Sequence, residues 1–400
     1  MKIYVYVVNK NGKPLMPTSP AKARRLLKAG KAKVVKRTPF TIQLIYGSSG
    51  YKQDVKLGVD TGYKFIGLSA VSDAKELFRS EVELRTDIVK LLSEKRQYRR
   101  TRRNRLWYRK QRFLNRGIKA GWLAPSVQHK LDSHIKAIEF VKSILPISEI
   151  TVEAAAFDIQ KIKDPDVSGV GYQNGVQKNF WNVREYVLYR DGHKCQACNG
   201  KNKDKILNVH HITPRADGGT NRPDNLITLC ETCHKAYHKG KIELKVKKHK
   251  AFKAETVMSI LRWKIVNKLR ELGNAVSITY GYLTKSARIA LKLNKSHAND
   301  AFCIAGGSGQ ERTDVINGSF TRRQNRCTQL NRKGFKPSIR KRRYELQPND
   351  LVKCGKEVFR VVGVHSYGKY VKLRNKLNEI INVNIKKTEV LLYGKGLQFN

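Results

Sequence analysis

Short apolar runs broken by turn residues open the chain. Residues 3–8 are rich in β-formers, Asn11-Gly12 is a turn signal, and Thr18 or Ser19 can cap a helix over residues 21–29 that Gly30 closes. Val34-Val35 and residues 41–45 then have strand character, so residues 1–50 read as a small basic α/β module with no catalytic pattern. Residues 54–72, D-V-K-L-G-V-D-T-G-Y-K-F-I-G-L-S-A-V-S, predict a buried strand ending at Asp60, a Thr-Gly turn and an antiparallel partner. Over residues 126–145, Leu131, Ile135, Ile138, Phe140 and Val141 recur at helical spacing, and the strand that follows ends in a second carboxylate, Glu153. Helical periodicity resumes over residues 256–272, residues 275–280 are strand-like, and residues 295–305 open another helix. From Asp350 short β patterns recur, which predicts a small basic β domain.

Charge changes this picture. The 400 residues carry a net charge of +49, from 81 Lys+Arg against 32 Asp+Glu. A compact chain with that excess repels itself unless a polyanion neutralises it, so the expected partner is nucleic acid. The chain is also too long for one core, so several domains are expected. Residues 95–119 place arginine on every face of a predicted helix, with Tyr98, Trp107, Tyr108 and Phe113 interleaved and no acid after Glu94. Phosphates on several sides explain such a helix better than a solvated face does. No apolar run approaches the length of a spanning helix, and residues 3–8 are too short for a signal segment. Cys303, Cys327 and Cys354 are scattered singly, which suits a reducing cytoplasm.

Candidate chemistry lies at four places. A carboxylate closing an apolar strand is costly unless it binds a metal or caps a turn, and at Asp60 both readings stand. His297 and Asp300 share a helix face, as a site or as a surface pair. Cys195/Cys198 and Cys230/Cys233 have the spacing that brings four thiolates to one tetrahedral zinc. Between and after those pairs come His210, His211, a Gly-Gly turn, Asn225 and His234, which a plain zinc ribbon has no need of.

The order of residues 195–234 resembles the HNH endonucleases of the ββα-metal fold. That resemblance implies His211 as general base, His210 and His234 as ligands of one divalent cation, and Asn225 as the residue that orients the base. Many HNH relatives carry Asp where this chain has His210, and a second imidazole can shift the preference away from magnesium. Asp60, Glu153 and His297-x-x-Asp300 together resemble a RuvC, or RNase H-like, nuclease split into three pieces. With the inserted HNH segment, the Arg-rich helix and Pro14-Leu15-Met16-Pro17, the chain resembles the IscB family of transposon-encoded RNA-guided DNA nucleases over essentially its whole length.

The resemblance implies an α/β multidomain fold. Its parts are a PLMP domain at 1–50, RuvC segments at 51–92, 121–179 and 246–307, and a bridge helix at 93–120. HNH occupies 180–245, and a basic β-rich C-terminal domain, contacting RNA and the target-adjacent DNA motif, occupies 308–400. Two magnesium ions are implied at Asp60, Glu153 and Asp300, with His297 as base or ligand. One further magnesium is implied at the HNH site, and a structural zinc at Cys195, Cys198, Cys230 and Cys233. Arg99, Arg100, Arg102, Arg103, Arg105, Arg109 and Arg112 would grip nucleic acid. The implied partners are a long non-coding guide RNA and a double-stranded DNA target with a short flanking motif. They are bound by a monomer in the cytoplasm of a prokaryote, at the nucleoid when on DNA, with no membrane involved. HNH would cut the guide-paired strand and RuvC the displaced one. The rival expectations are a homing or restriction HNH enzyme guided by protein contacts, and a non-catalytic RNA-binding component of a ribonucleoprotein.

Overall fold

The computed structural model describes residues 4–48, 50–104, 106–108, 110, 121–154, 180, 182–217, 219–244, 253–323, 344–375 and 377–399. The chain divides into two compact units, Met1–Ala156 with Met258–Asn400, and Phe157–Val257.

The first unit begins with β1 (Tyr6–Val8), α1 (Pro20–Lys28), β2 (Ala32–Lys36) and β3 (Thr41–Leu44), close to the periodicity reading. Ser19 caps α1 by accepting from the Lys22 amide, and Pro20 fills the first helical turn, where no amide donor is needed. β3 lies between β1, to which it is parallel, and β2, to which it is antiparallel, around Val5, Val7, Leu15, Ala23, Ile42 and Leu44.

A seven-stranded sheet dominates the unit. β4 (Lys56–Thr61), β5 (Phe65–Val71) and β6 (Glu76–Glu83) form an antiparallel meander. β7 (Glu149–Glu153) pairs parallel with β4, and β10 (Val276–Thr279) pairs parallel with β7. On the other side β11 (Ile316–Thr321) pairs parallel with β6, and β17 (Gly396–Phe399) closes the order β10-β7-β4-β5-β6-β11-β17. The stretch 308–400 is therefore not wholly a separate domain: β11 and β17 extend the main sheet. Their pairing satisfies the open edge of β6 and buries Phe320, Gln398 and Phe399. Between these two strands, β12 (Leu351–Cys354), β13 (Glu357–His365), β14 (Tyr370–Arg374), β15 (Ile380–Asn384) and β16 (Thr388–Leu392) form an antiparallel sheet over Val352, Phe359, Val361, Val371 and Leu373.

Helices complete the first unit. α2 (Ile88–Arg103) buries no residue and exposes Arg99, Arg100, Arg102 and Arg103, whereas Arg105, Arg109 and Arg112 lie outside the described residues. α3 (Pro125–Lys142) buries Leu131, Ala137, Ile138 and Val141, and α6 (Lys253–Glu271) buries Leu261, Ile265, Val266 and Leu269. α7 (Gly281–Ala290) leads into α8 (His297–Ile304), which lies directly on the sheet. The period-2 alternation of β4 puts Gly58 and Asp60 on the α8 side and Leu57 and Val59 on the other. A Cβ on Gly58 would come within 2.0 Å of the Ala301 carbonyl oxygen, and one on Gly67 within 1.9 Å of that of His297. Bare backbone is thus what lets α8 seat.

The second unit contains α4 (Val183–Arg190), the antiparallel pair β8 (Leu207–His211) and β9 (Leu226–Cys230), and α5 (Glu231–His238). Cys195, Ile212, Ile227, Leu229, Cys230 and Cys233 form its small core. Among the described residues no helix is long and apolar enough to cross a membrane.

Candidate functional sites

β4 and β7 are parallel with Val59 beside Val152, so their ends carry Asp60 and Glu153 to the same edge of the sheet. Ser296 caps α8 by accepting from the Asn299 amide at 3.1 Å, which starts the helix at His297 and places Asp300 one turn later. His297 Nδ1 reaches Asp60 Oδ2 at 2.6 Å. Burial and then the charge of Asp60 push both the Glu153 and the Asp300 carboxyls above their usual range. The hydrogen bond to Asp60 raises the His297 imidazole. All four residues singled out in the first unit therefore meet in one acidic centre.

Two arginines in this centre escape the sequence reading. Arg262, buried on α6, gives Nη2 to Glu153 Oε1 at 3.2 Å and Nε to Thr61 Oγ1 at 3.1 Å. Arg288 Nε lies 2.9 Å from Asp300 Oδ1, but the alignment falls short of a hydrogen bond and leaves both atoms without one. Glu153 and Asp300 are thus each held by a guanidinium. The three carboxylates do not converge to within 4.8 Å as the donor sets of the second unit do. Their chemistry, hard oxygens with one imidazole, still suits magnesium.

In the second unit, alternation along β8 turns His210 inward and leaves His211 half-exposed. His234 and His238 stand one turn apart on α5, and the ring nitrogens of His210, His234 and His238 all lie within 4.8 Å of one another. Burial, then the three neighbouring imidazoles, push His210 down to about 4. Burial and His238 lower His234 as well. His210 Nε2 is buried with no hydrogen-bond partner. Three imidazoles with ring nitrogens gathered at one point fit a divalent cation. The residues that could hold a cation are three, His238 standing with the expected His210 and His234. It sits four residues after His234, a helical spacing visible in the sequence. Three nitrogens and no carboxylate favour a borderline cation such as zinc over magnesium, which prefers oxygen.

Asn225 does not bond His211. Its side chain accepts from the Thr213 amide and donates to the carbonyls of Thr213 and Thr220, so it clamps the two ends of the loop after His211. The group that touches His211 is Asn221, whose Oδ1 lies 2.9 Å from His211 Nε2 and also accepts from Arg215 Nε and Nη2. A carbonyl oxygen only accepts, so the neutral form of His211 that this contact selects has its proton on Nε2 and its lone pair on Nδ1.

The four thiols of Cys195, Cys198, Cys230 and Cys233 also lie within 4.8 Å of one another. Cys198 and Cys230 Sγ are 3.9 Å apart, close to the spacing of about 3.8 Å set by a tetrahedral zinc. The Asn202 backbone lowers the Cys198 thiol to about 7, while burial raises Cys230 and Cys233, so thiolates there call for a cation.

The RRXRR protein family matches residues 5–175, and Arg99-Arg100-Thr101-Arg102-Arg103 spells that pattern. The HNH endonuclease family matches residues 195–240. Anaredoxin of Nostoc sp. is 38% identical over 64 residues, 16% of this chain and 82% of that protein. The type IV methyl-directed restriction enzyme EcoKMcrA of Escherichia coli is 35% identical over 66 residues, 15% of this chain and 24% of that enzyme. Streptococcus thermophilus Cas9 in complex with the AGAA PAM aligns with a TM-score of 0.34 and 13% identity, over 59% of this chain and 32% of that one. The chain therefore spans about a quarter of EcoKMcrA and about a third of Cas9. An RRXRR region followed by an HNH endonuclease domain makes this chain a member of the IscB-like family.

Proposed function

We propose that the chain is an RNA-guided endonuclease of double-stranded DNA, in which the histidine centre cuts the guide-paired strand and the acidic centre the displaced strand. The observation that carries this reading is two chemically different candidate centres, one in each unit. A β4 with Asp60 next to its last residue, a parallel β7 ending in Glu153 and a helix bearing His297 and Asp300 against β4 are what a split RuvC domain requires. Guidance by RNA rests on the family resemblance, the net charge of +49 and the exposed arginines of α2.

At the histidine centre, His211 Nδ1 takes a proton from water as the water oxygen bonds to phosphorus and the bond to the leaving oxygen breaks. Asn221 holds the tautomer that makes this possible, and Asn225 fixes the loop that presents it. At the acidic centre Arg262 and Thr61 orient Glu153, and the hydrogen bond from His297 orients Asp60. Divalent cations held by His210, His234 and His238, and by Asp60, Glu153 and Asp300, would stabilise the charge that builds on the phosphate oxygens. Cys195, Cys198, Cys230 and Cys233 would hold a structural zinc.

Strand-specific labels test the reading. His211→Ala should cut only the displaced strand, and Asp60→Ala only the guide-paired strand. Loss of both cuts in either variant would contradict two independent centres. The likeness to EcoKMcrA favours a second reading, a restriction-type enzyme that reads DNA through protein contacts. Active protein that purifies and cuts without a defined RNA would decide for it.

A further inference from the structure

Large aromatic rings left in solvent beside an acidic centre call for an occupant. Tyr280 is 47% and Tyr282 68% exposed, at the start of α7. Their rings lie within 11° of parallel, with centroids 6.2 Å apart. Between them Gly281 abuts the acidic centre, since a Cβ there would lie 3.3 Å from Glu153 Oε1. Lys285 is exposed one helical turn from Tyr282, and Lys292 and Lys295 are exposed in the segment that joins α7 to α8. Parallel aromatic faces with cations around them complement one chemistry: flat bases on a phosphate backbone.

We infer that Tyr280 and Tyr282 form a stacking platform for unpaired nucleobases of a single strand entering the acidic centre. The inference rests on the reading of that centre as a nuclease site and adds how it selects its substrate. Bases inside a duplex have both faces covered by their neighbours and gain nothing from the rings. An unpaired base gains a stacking partner whatever its identity, so the platform favours unwound DNA without reading sequence. Gly281 keeps the backbone thin enough for the platform to sit against Glu153.

The test uses the full chain without added metal and a short single-stranded DNA containing 2-aminopurine, whose fluorescence falls when the base stacks. Exposed rings elsewhere, Trp107 and Trp122 among them, can also stack on bases, so the platform is read from the difference between wild type and a variant with leucine at both positions. Wild type should quench the single strand but not the same label within a duplex. The pair Tyr280→Phe, Tyr282→Phe should keep the quench. The pair Tyr280→Leu, Tyr282→Leu should lose it and bind the single strand about tenfold more weakly. Both positions are exposed, so circular dichroism should show either pair folded. An unchanged quench in the leucine pair, or equal quenching of duplex and single strand, overturns the platform. The reading of the acidic centre fails separately, if Asp60→Ala still cuts the displaced strand.

Discussion

At position 211 the proposed chemistry depends on which ring nitrogen carries the proton. Asn221 decides it by accepting from Nε2, and its own place is held by Arg215. Asn221→Ala should slow the guide-paired cut about ten- to hundredfold, by analogy with other groups that orient a reacting histidine. Measured in an Asp60→Ala background, where only that cut remains, an unchanged rate would show that Asn221 only decorates the loop. A different histidine sets part of the stability. His134 is fully buried on α3, gives its Nδ1 hydrogen to the Lys130 carbonyl, and has no partner for Nε2. Burial pushes it down to about 4. Between that value and the ordinary one of about 6.5 the unfolded chain binds more protons, so stability falls as pH falls through this window. The loss attributable to His134 approaches roughly 3 kcal/mol at its acid end. Urea midpoints from pH 7 to 4.5 should decline less steeply in His134→Leu than in wild type. Parallel curves would remove His134 as the cause.

The element that decides the acidic centre is α8, and its seat is made of absent side chains. Gly67 faces Asp60 across the β4–β5 ladder and lies against the His297 carbonyl. Gly67→Ala must lift α8 from the sheet, at a cost of about 1–3 kcal/mol or more for overpacking, and break the bond between His297 and Asp60. The expected result is a lower melting temperature with loss of the displaced-strand cut while the guide-paired cut survives. An alanine variant with wild-type melting and both cuts would mean that α8 does not touch the sheet through backbone. These elements differ in how far the sequence reveals them. The strand end at Glu153, that near Asp60 (one residue short of Thr61) and the start of α8 are legible, because a carboxylate closing an apolar run and a serine before a helix are local signals. Arg262 is not, since its partner Glu153 lies 109 residues away and an arginine on a helix is ordinary. Nor are β11 and β17, whose membership in the main sheet depends on the free edge of β6. His238 sits between these cases: its spacing from His234 is visible, but its convergence on His210 requires the packing of α5 against β8.

For the whole molecule the governing quantity is charge. A net +49 over 400 residues leaves repulsion that no arrangement of 32 acids cancels, so in the proposed function a bound polyanion would complete the particle electrostatically. α2 carries a dense group of these charges. Arg99, Arg100, Arg102 and Arg103 fall within about one and a half turns, all exposed, so they point in different directions and cannot serve one groove. Such a helix fits between nucleic acid segments rather than on top of one. Replacing Arg99, Arg102 and Arg103 by Gln should weaken RNA loading equally for unrelated guide sequences, because phosphates carry no sequence. Each lost phosphate contact should lower the slope of log affinity against log salt by roughly 0.7 to 0.9, according to strand form. The triple variant should therefore lose about two to three units of slope if all three arginines reach phosphates. Since α2 buries no side chain, the variant should melt as wild type does. Affinity for two unrelated guides across a salt series is the measurement. A loss confined to one guide would make these arginines base readers, and an unchanged slope would leave them as solvated surface with the polyanion bound elsewhere.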